Sequence, residues 1–349
     1  MREIRRRRRP APKKRKISWP AFIALAALAA ALLYFGTTAV ALDNGIFGVF
    51  GAGAYGDDIG QPGGFARPQN PRVEIDISEI NIYKDHWRRQ YRFYYDNPEM
   101  MNRDQHIVSD NYGFVRNITY SGGVLTINTY APAVFEAVYD EQTGIVTIHV
   151  ESPRERYDWV VIIDAGHGGF DPGAIHGGHN ESDIVLSIAH KTYQIFAYSN
   201  SGVRAFLTRY DDSFLAMSYR TIIGNLSADL FVAIHANAYG RVPAVRGTEV
   251  LYARYSAKNR YGNPGRADIS NADFSQIMQN HLVGALNTRD RGIVRRGDLA
   301  MLNASTIPLA YLEIEFMTNP QALADLLNPD FQQRTAQAIY DGVLSTLRR

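Results

Sequence analysis

Downstream of residue 157, short apolar runs alternate with longer segments of helical period. The runs are residues 159–163, 203–207, 230–234, 248–252 and 309–314, and the helix-length segments include 184–198 and 274–286. Near-continuous apolar strands separated by helices mark strands buried on both faces by crossover connections. The pattern predicts an α/β domain over 157–349, built on a mostly parallel sheet with helices on both faces. In such sheets, functional groups gather outside the C-terminal ends of the strands.

Upstream the period changes. Val73, Ile75 and Ile77 alternate with polar residues, a looser alternation returns at 124–128, and 145–150 follows the turn-like DEQTG of 140–144. This predicts a small β-rich module over 73–156, in which the Tyr- and Arg-rich stretch HWRRQYRFYYD is strand surface and core. Residues 43–72 are rich in Gly and Pro without a helical period, the composition of a flexible stalk. Residues 17–42 carry no charge and are mostly apolar, which exceeds the roughly 20 residues a membrane-spanning helix needs.

Charge sharpens this picture. The net charge is only +2, but ten of the 37 Lys and Arg lie in residues 1–16 beside a single acid, leaving 27 bases against 34 acids in the remainder. A basic run directly before an apolar span predicts a cytoplasmic tail over 1–16, a transmembrane signal-anchor over 17–42 and export of everything beyond it. The expected partner of the N-terminal run is therefore the membrane, and no nucleic acid is expected. Ala39-Val40-Ala41 has the small-x-small form of a signal-peptide cleavage site, so cleavage after Ala41 and secretion is the alternative. With no cysteine, an exported domain has no disulfide and relies on its core.

Three chemistry-bearing residues fall at or beyond strand ends. His167 follows the first strand in VVIIDAGHGGFDPGA, His235 ends DLFVAIHAN, and Glu313 lies near the end of PLAYLEIEF. Two imidazoles and a carboxylate hold Zn2+ with a fourth position open to water. Glu181, at the start of the next helix, is the third ligand candidate; a first-turn Glu also simply complements the helix dipole. His176 and His179 read as exposed loop histidines. Arg209 and Arg220 read either as anion-binding residues or as partners of Asp212 or Asp229.

The ordered blocks DAGHGGFDPGA, ESDIVLSIA, LTRYDD, Arg220, ADLFVAIHANA, GTEVLY, DRGI and YLEIEFMTN run from Val160 to the C-terminus. Together they resemble the zinc-dependent N-acetylmuramoyl-L-alanine amidases, the type 3 amidase family of cell-wall hydrolases. The resemblance implies one Zn2+ on His167, Glu181 and His235, with Glu313 catalytic; beside these, Asn237 and Arg209 are expected in supporting or substrate-contact roles. It also implies peptidoglycan as the substrate, cut at the amide between N-acetylmuramic acid and L-alanine. Residues 238–247 are too few for the helical insertion that covers zinc in some members, so an open cleft needing no activator protein is expected. Glu315 departs from the family, which commonly has a small residue there. Strand alternation puts it on the face of Glu313, near the metal, or in solvent where the strand ends. That departure keeps a catalytically impaired wall-binding or regulatory pseudo-amidase as a rival, beside a zinc peptidase cutting within the stem peptide.

Overall fold

The computed structural model describes residues 80–348 apart from 87, 96–105, 111–112, 122–123, 141, 143–144, 241–242 and 255–267, together with 39–42, 46–49 and 73–74. The chain divides into two compact units, Met1–Pro62 and Gly63–Arg349.

In the first unit, β1 (Ala39–Leu42) pairs antiparallel with β2 (Ile46–Val49). The last four residues of the expected span are thus strand, and part of the expected stalk is ordered against them. Two apolar runs flanking the turn-forming sequence Asp43-Asn44-Gly45 favour a hairpin. The basic tail, residues 17–38 of the expected span and most of the stalk lie outside the described residues. Among the described residues no helix is long and apolar enough to cross a membrane.

The second unit begins with the expected β module. Its strands are β3 (Val73–Glu74), β4 (Ile80–Asp85), β5 (Gln90–Tyr95), β6 (His106–Asp110), β7 (Val115–Ser121), β8 (Val124–Thr129), β9 (Val134–Asp140) and β10 (Ile145–Glu151). They form a five-stranded sheet ordered β3-β4-β5-β8-β7 and a three-stranded sheet ordered β6-β10-β9. One core joins the two sheets. Tyr91, Phe93, Leu125 and Ile127 come from the first, and Phe135, Ala137, Ile148 and Val150 from the second. The alternation of β8 and β10 supplies every second residue to it.

The short helix α1 (Pro153–Arg156), capped by Ser152, leads into the α/β domain. There follow β11 (Trp159–Ala165), β12 (Ile175–His176), β13 (His179–Asn180), α2 (Glu181–Tyr198), β14 (Val203–Leu207), α3 (Met217–Ser227), β15 (Leu230–Asn237) and β16 (Thr248–Ala253). Beyond them lie α4 (Asn271–Leu286), β17 (Asp290–Arg296), α5 (Ala300–Ala304), β18 (Leu309–Phe316), α6 (Pro320–Leu327) and α7 (Pro329–Leu347). The six-stranded sheet has the order β14-β11-β15-β18-β16-β17 and is parallel except between β16 and β18.

Successive residues of the buried strands serve opposite faces. Val161, Ile163, Val232, Ile234 and Leu312 pack in one core with residues of α2, α4 and α7. Val160, Ile162, Phe231, Ala233 and Tyr311 pack in another with residues of α3 and α5. Helices cover both faces, as the sequence pattern predicts. The β module docks on this domain: Arg89 donates to the Thr208 carbonyl at 3.1 Å and lies over the Tyr219 ring, and His86 packs edge-on against Phe206.

Candidate active site

His167 stands two residues beyond β11, and the backbone there is contorted. His167 itself has φ 58°, followed by Gly168 at 121° and Gly169 at 62°. A left-handed non-glycine residue costs about 1–2 kcal/mol and persists only where its surroundings impose it. Here two buried arginines impose it. Arg209 donates to the carbonyls of Ala165, Gly166, Asp211 and Ser182, at 2.7–3.0 Å. Arg220 pairs with Asp164 at 2.7 Å and donates to the carbonyls of Ala165 and His167. Both are therefore buried frame residues that fix the turn. Burial, with Arg220 nearby, brings Arg209 down to about 10.

Glu181 opens α2, and β12 and β13 bring the chain back to it. Its Oε1 receives three groups: His167 Nε2 at 3.1 Å, His235 Nδ1 at 2.8 Å and the Ala236 N–H at 3.1 Å. The other oxygen accepts the Ala174 N–H at 3.0 Å. The His167, Glu181 and His235 donor atoms all lie within 4.8 Å of one another, and this is the group among the described residues able to hold a metal ion. The far nitrogen of His167, Nδ1, is bonded to Asp171 at 2.9 Å, which fixes the ring. Burial opposes charge on Glu181, but the bonds and charges of His167 and His235 outweigh it and hold its carboxyl well below the ordinary range. Burial likewise lowers His167, yet Glu181 and Asp171 raise it above its usual value.

Glu313 of β18 stands in register with His235 on the neighbouring parallel strand. It shares a face with Tyr311, whose ring stacks on His235 at 4.2 Å. Although the residue is partly exposed, its Oε2 is buried without a hydrogen-bond partner. Burial, then the charges of Glu181 and Glu249, push its pKa well up, against a smaller pull from Arg296. Glu249 is the residue that sequence reasoning missed. It lies directly across from Glu313 on the antiparallel strand β16 and is held by Arg291 at 2.8 Å and Asn237 Nδ2 at 3.1 Å. Its signal was its place in the GTEVLY block, but only the β16–β18 register brings it to Glu313.

Asn237 therefore supports Glu249. Glu315 lies neither in solvent nor among the charges acting on Glu313. It is fully buried, accepting the Gly247 N–H at 2.6 Å, with Arg246 at 3.4 Å. The physical reason is a register shift between β15 and β18, which inserts an extra residue after Glu313 and breaks the strict alternation. His176 and His179 are exposed on the β12–β13 hairpin and outside the donor cluster. Among the described residues of 238–247 there is no helix.

A parallel-sheet edge carrying two histidines, a carboxylate and a buried second carboxylate defines a candidate metal-hydrolase centre. The sequence profile of the family described as N-acetylmuramoyl-L-alanine amidase matches residues 161–345, and the chain belongs to that family. Protein YqiI of Bacillus subtilis is 35% identical over 186 residues, covering 52% of this chain and 82% of YqiI. The N-acetylmuramoyl-L-alanine amidase AmiC of Neisseria meningitidis is 31% identical over 218 residues, covering 53% of this chain and 51% of AmiC. Thus the chain spans about half the length of that relative. Among solved structures, the catalytic domain of CwlV, an amidase of Bacillus (Paenibacillus) polymyxa, is 35% identical, covers 54% of this chain and 98% of that one, and has a TM-score of 0.48.

Proposed function

We propose that this chain hydrolyses the amide joining N-acetylmuramic acid to L-alanine in peptidoglycan, using one Zn2+ held by His167, Glu181 and His235. The observation that carries this is the convergence of His167 Nε2 and His235 Nδ1 on Glu181 Oε1, with Glu313 in register beside His235. Lone pairs of two imidazoles and a carboxylate aimed at one point are satisfied by a proton or a cation. Two N and one O donor, with the His167 ring steadied by Asp171, suit zinc. When bound, zinc supplies a Lewis acid for the scissile carbonyl and lowers the pKa of water.

The protein's own groups then manage the proton. Glu313, its basicity raised by burial and by neighbouring carboxylates, takes a proton from the attacking water and returns one to the leaving amine. Glu249, fixed by Arg291 and Asn237, stands across from it and contributes to that rise. Arg209 and Arg220 hold the His167 turn so that Nε2 faces Glu181. Glu315, the reason to weigh a non-hydrolytic relative, spends its charge on Gly247 and Arg246. The basic run 1–16 before the uncharged run 17–42 supports a membrane-anchored protein with this domain on the wall side, or a secreted one after cleavage at Ala41.

The test is the appearance of new amino termini in purified peptidoglycan treated with the zinc-loaded chain and with Glu313→Gln. Release by the parent alone, at equal zinc content, supports the reading. Equal release by both sinks Glu313 as the proton carrier.

A further inference from the structure

Phe170 is at the tip of the loop that follows His167. Its side chain is 79% exposed, and Phe214, 40% exposed, lies against it with ring centroids 4.0 Å apart and planes tilted by 31°. Water gains nothing from two phenyl rings left side by side on a surface, and such patches mark contact sites. The pair is also built rigidly. Gly168 and Asp171 close the loop with reciprocal backbone bonds of 2.8 and 3.2 Å, and Asp212 accepts the Gly169 N–H at 2.9 Å. A Cβ on Gly169 would sit 2.9 Å from the Phe214 nitrogen, so glycine is what lets the two loops meet. Asp171 in turn bonds His167, which ties the rings to the donor cluster.

We propose that Phe170 and Phe214 form a stacking subsite for a pyranose ring of the glycan strand; this rests on the amidase reading above. In that reading the scissile amide has a sugar on its acyl side and a peptide on its amine side. The chemistry around the rings selects the sugar. Residues 168–175 and 210–217 contain Asp171, Asp211 and Asp212 and no Lys or Arg, so they offer an anionic ligand no counter-charge and suit a neutral N-acetylated sugar. The C–H face of a pyranose lies flat on an aromatic ring, whereas the methyl group of the adjoining L-alanine offers no such face. At the other end of the sheet, the arginines of β17 are taken up by carboxylates, Arg291 by Glu249 at 2.8 Å and Arg296 by Asp298 at 2.6 Å, so the exposed aromatic pair beside His167 is the feature that fits the glycan.

The probe is the neutral tetramer of N-acetylglucosamine, which has neither lactyl group nor peptide. Its binding to the zinc-loaded full chain in detergent is measured by titration calorimetry, for the parent, Phe170→Ala and Phe170→Trp. Phe170 is the more exposed ring, so the alanine variant is expected to keep its fold and zinc content, checked by circular dichroism and metal analysis. The subsite predicts measurable binding by the parent, binding about tenfold weaker in Phe170→Ala, and retention in Phe170→Trp. No binding by the parent, or equal binding by Phe170→Ala, overturns it. So does a shift from dimer to monomer in sedimentation velocity with tetramer binding unchanged, which would assign the rings to a contact between copies. Peptide release from peptidoglycan is scored separately: a parent that binds the tetramer and releases nothing refutes the amidase reading while leaving the subsite standing.

Discussion

Gly166→Ala should cost the protein its metal before it costs the fold. A Cβ built at Gly166 lies 2.1 Å from Cε1, 2.4 Å from Nε2 and 2.6 Å from Nδ1 of His235. Ordinary contact begins near 3.4 Å, so the imidazole must retreat by about 1.3 Å or β11 and β15 must part. Parting is resisted by the parallel ladder between these strands and by the Gly166 N–H bond to the Ile234 carbonyl at 3.1 Å. The ring therefore moves, within the limits set by Tyr311 stacked on it, and Nδ1 moves with it away from Glu181. Overpacking of this kind costs about 1–3 kcal/mol, and displacing a functional atom by about 1 Å costs on the order of a hundredfold. The expected result is zinc affinity about a hundredfold weaker, by competition with a chromophoric chelator. Unfolding of the metal-free protein should shift by only several degrees, since each kcal/mol is worth about 2–4 °C in a domain of this size. A folded variant with zinc affinity within about threefold of the parent would refute the argument that His235 ligates from this position.

Further outcomes follow from the same geometry. Glu313 has a folded-state pKa above its unfolded value, so it favours the native state most at pH below the ordinary carboxyl range and loses that contribution as pH rises through the folded pKa. Metal-free Glu313→Gln should then be more stable than the parent near neutral pH, with the gap closing in acid; thermal melts across pH that run in parallel would contradict this. Glu181 works the other way, its depressed pKa adding stability above its unfolded value that is lost as pH falls, so acid melts of metal-free Glu181→Gln should be flatter than those of the parent. Glu315→Ala strands the Gly247 N–H and is expected to cost about 1–3 kcal/mol while leaving zinc content unchanged; a gain in activity would show that Glu315 competes with Glu313 after all. Arg209→Lys keeps the charge but not the fork that reaches four carbonyls, and should lose both stability, by more than about 2 kcal/mol, and zinc affinity, each read by the assays above.

The central strands were legible because burial on both faces makes them uniformly apolar. Residues 159–163, 203–207 and 309–314 fall within β11, β14 and β18. The edge strand β17 was not, since its sequence DRGIVRR is mostly charged and only partly buried. Nor does any local pattern reveal that β16 runs antiparallel to β18, and it is this pairing that sets Glu249 across from Glu313. His167, Glu181 and His235 were nameable as types at strand and helix ends, but their shared focus on one oxygen is a property of the folded turn. In that turn His167 itself adopts the left-handed conformation, which no residue pattern announces. Glu315 was misplaced because alternation holds only along an uninterrupted ladder, and a register shift follows Glu313.

Zinc-dependent cleavage at the muramyl amide is read by mass spectrometry of purified peptidoglycan digested with the full chain, with and without a zinc chelator. The expected products are free stem peptides beginning with L-alanine and glycan strands bearing intact lactyl carboxyls, in the zinc-replete sample alone. Fragments cut between residues of the stem peptide, or the same release in the presence of chelator, would contradict it.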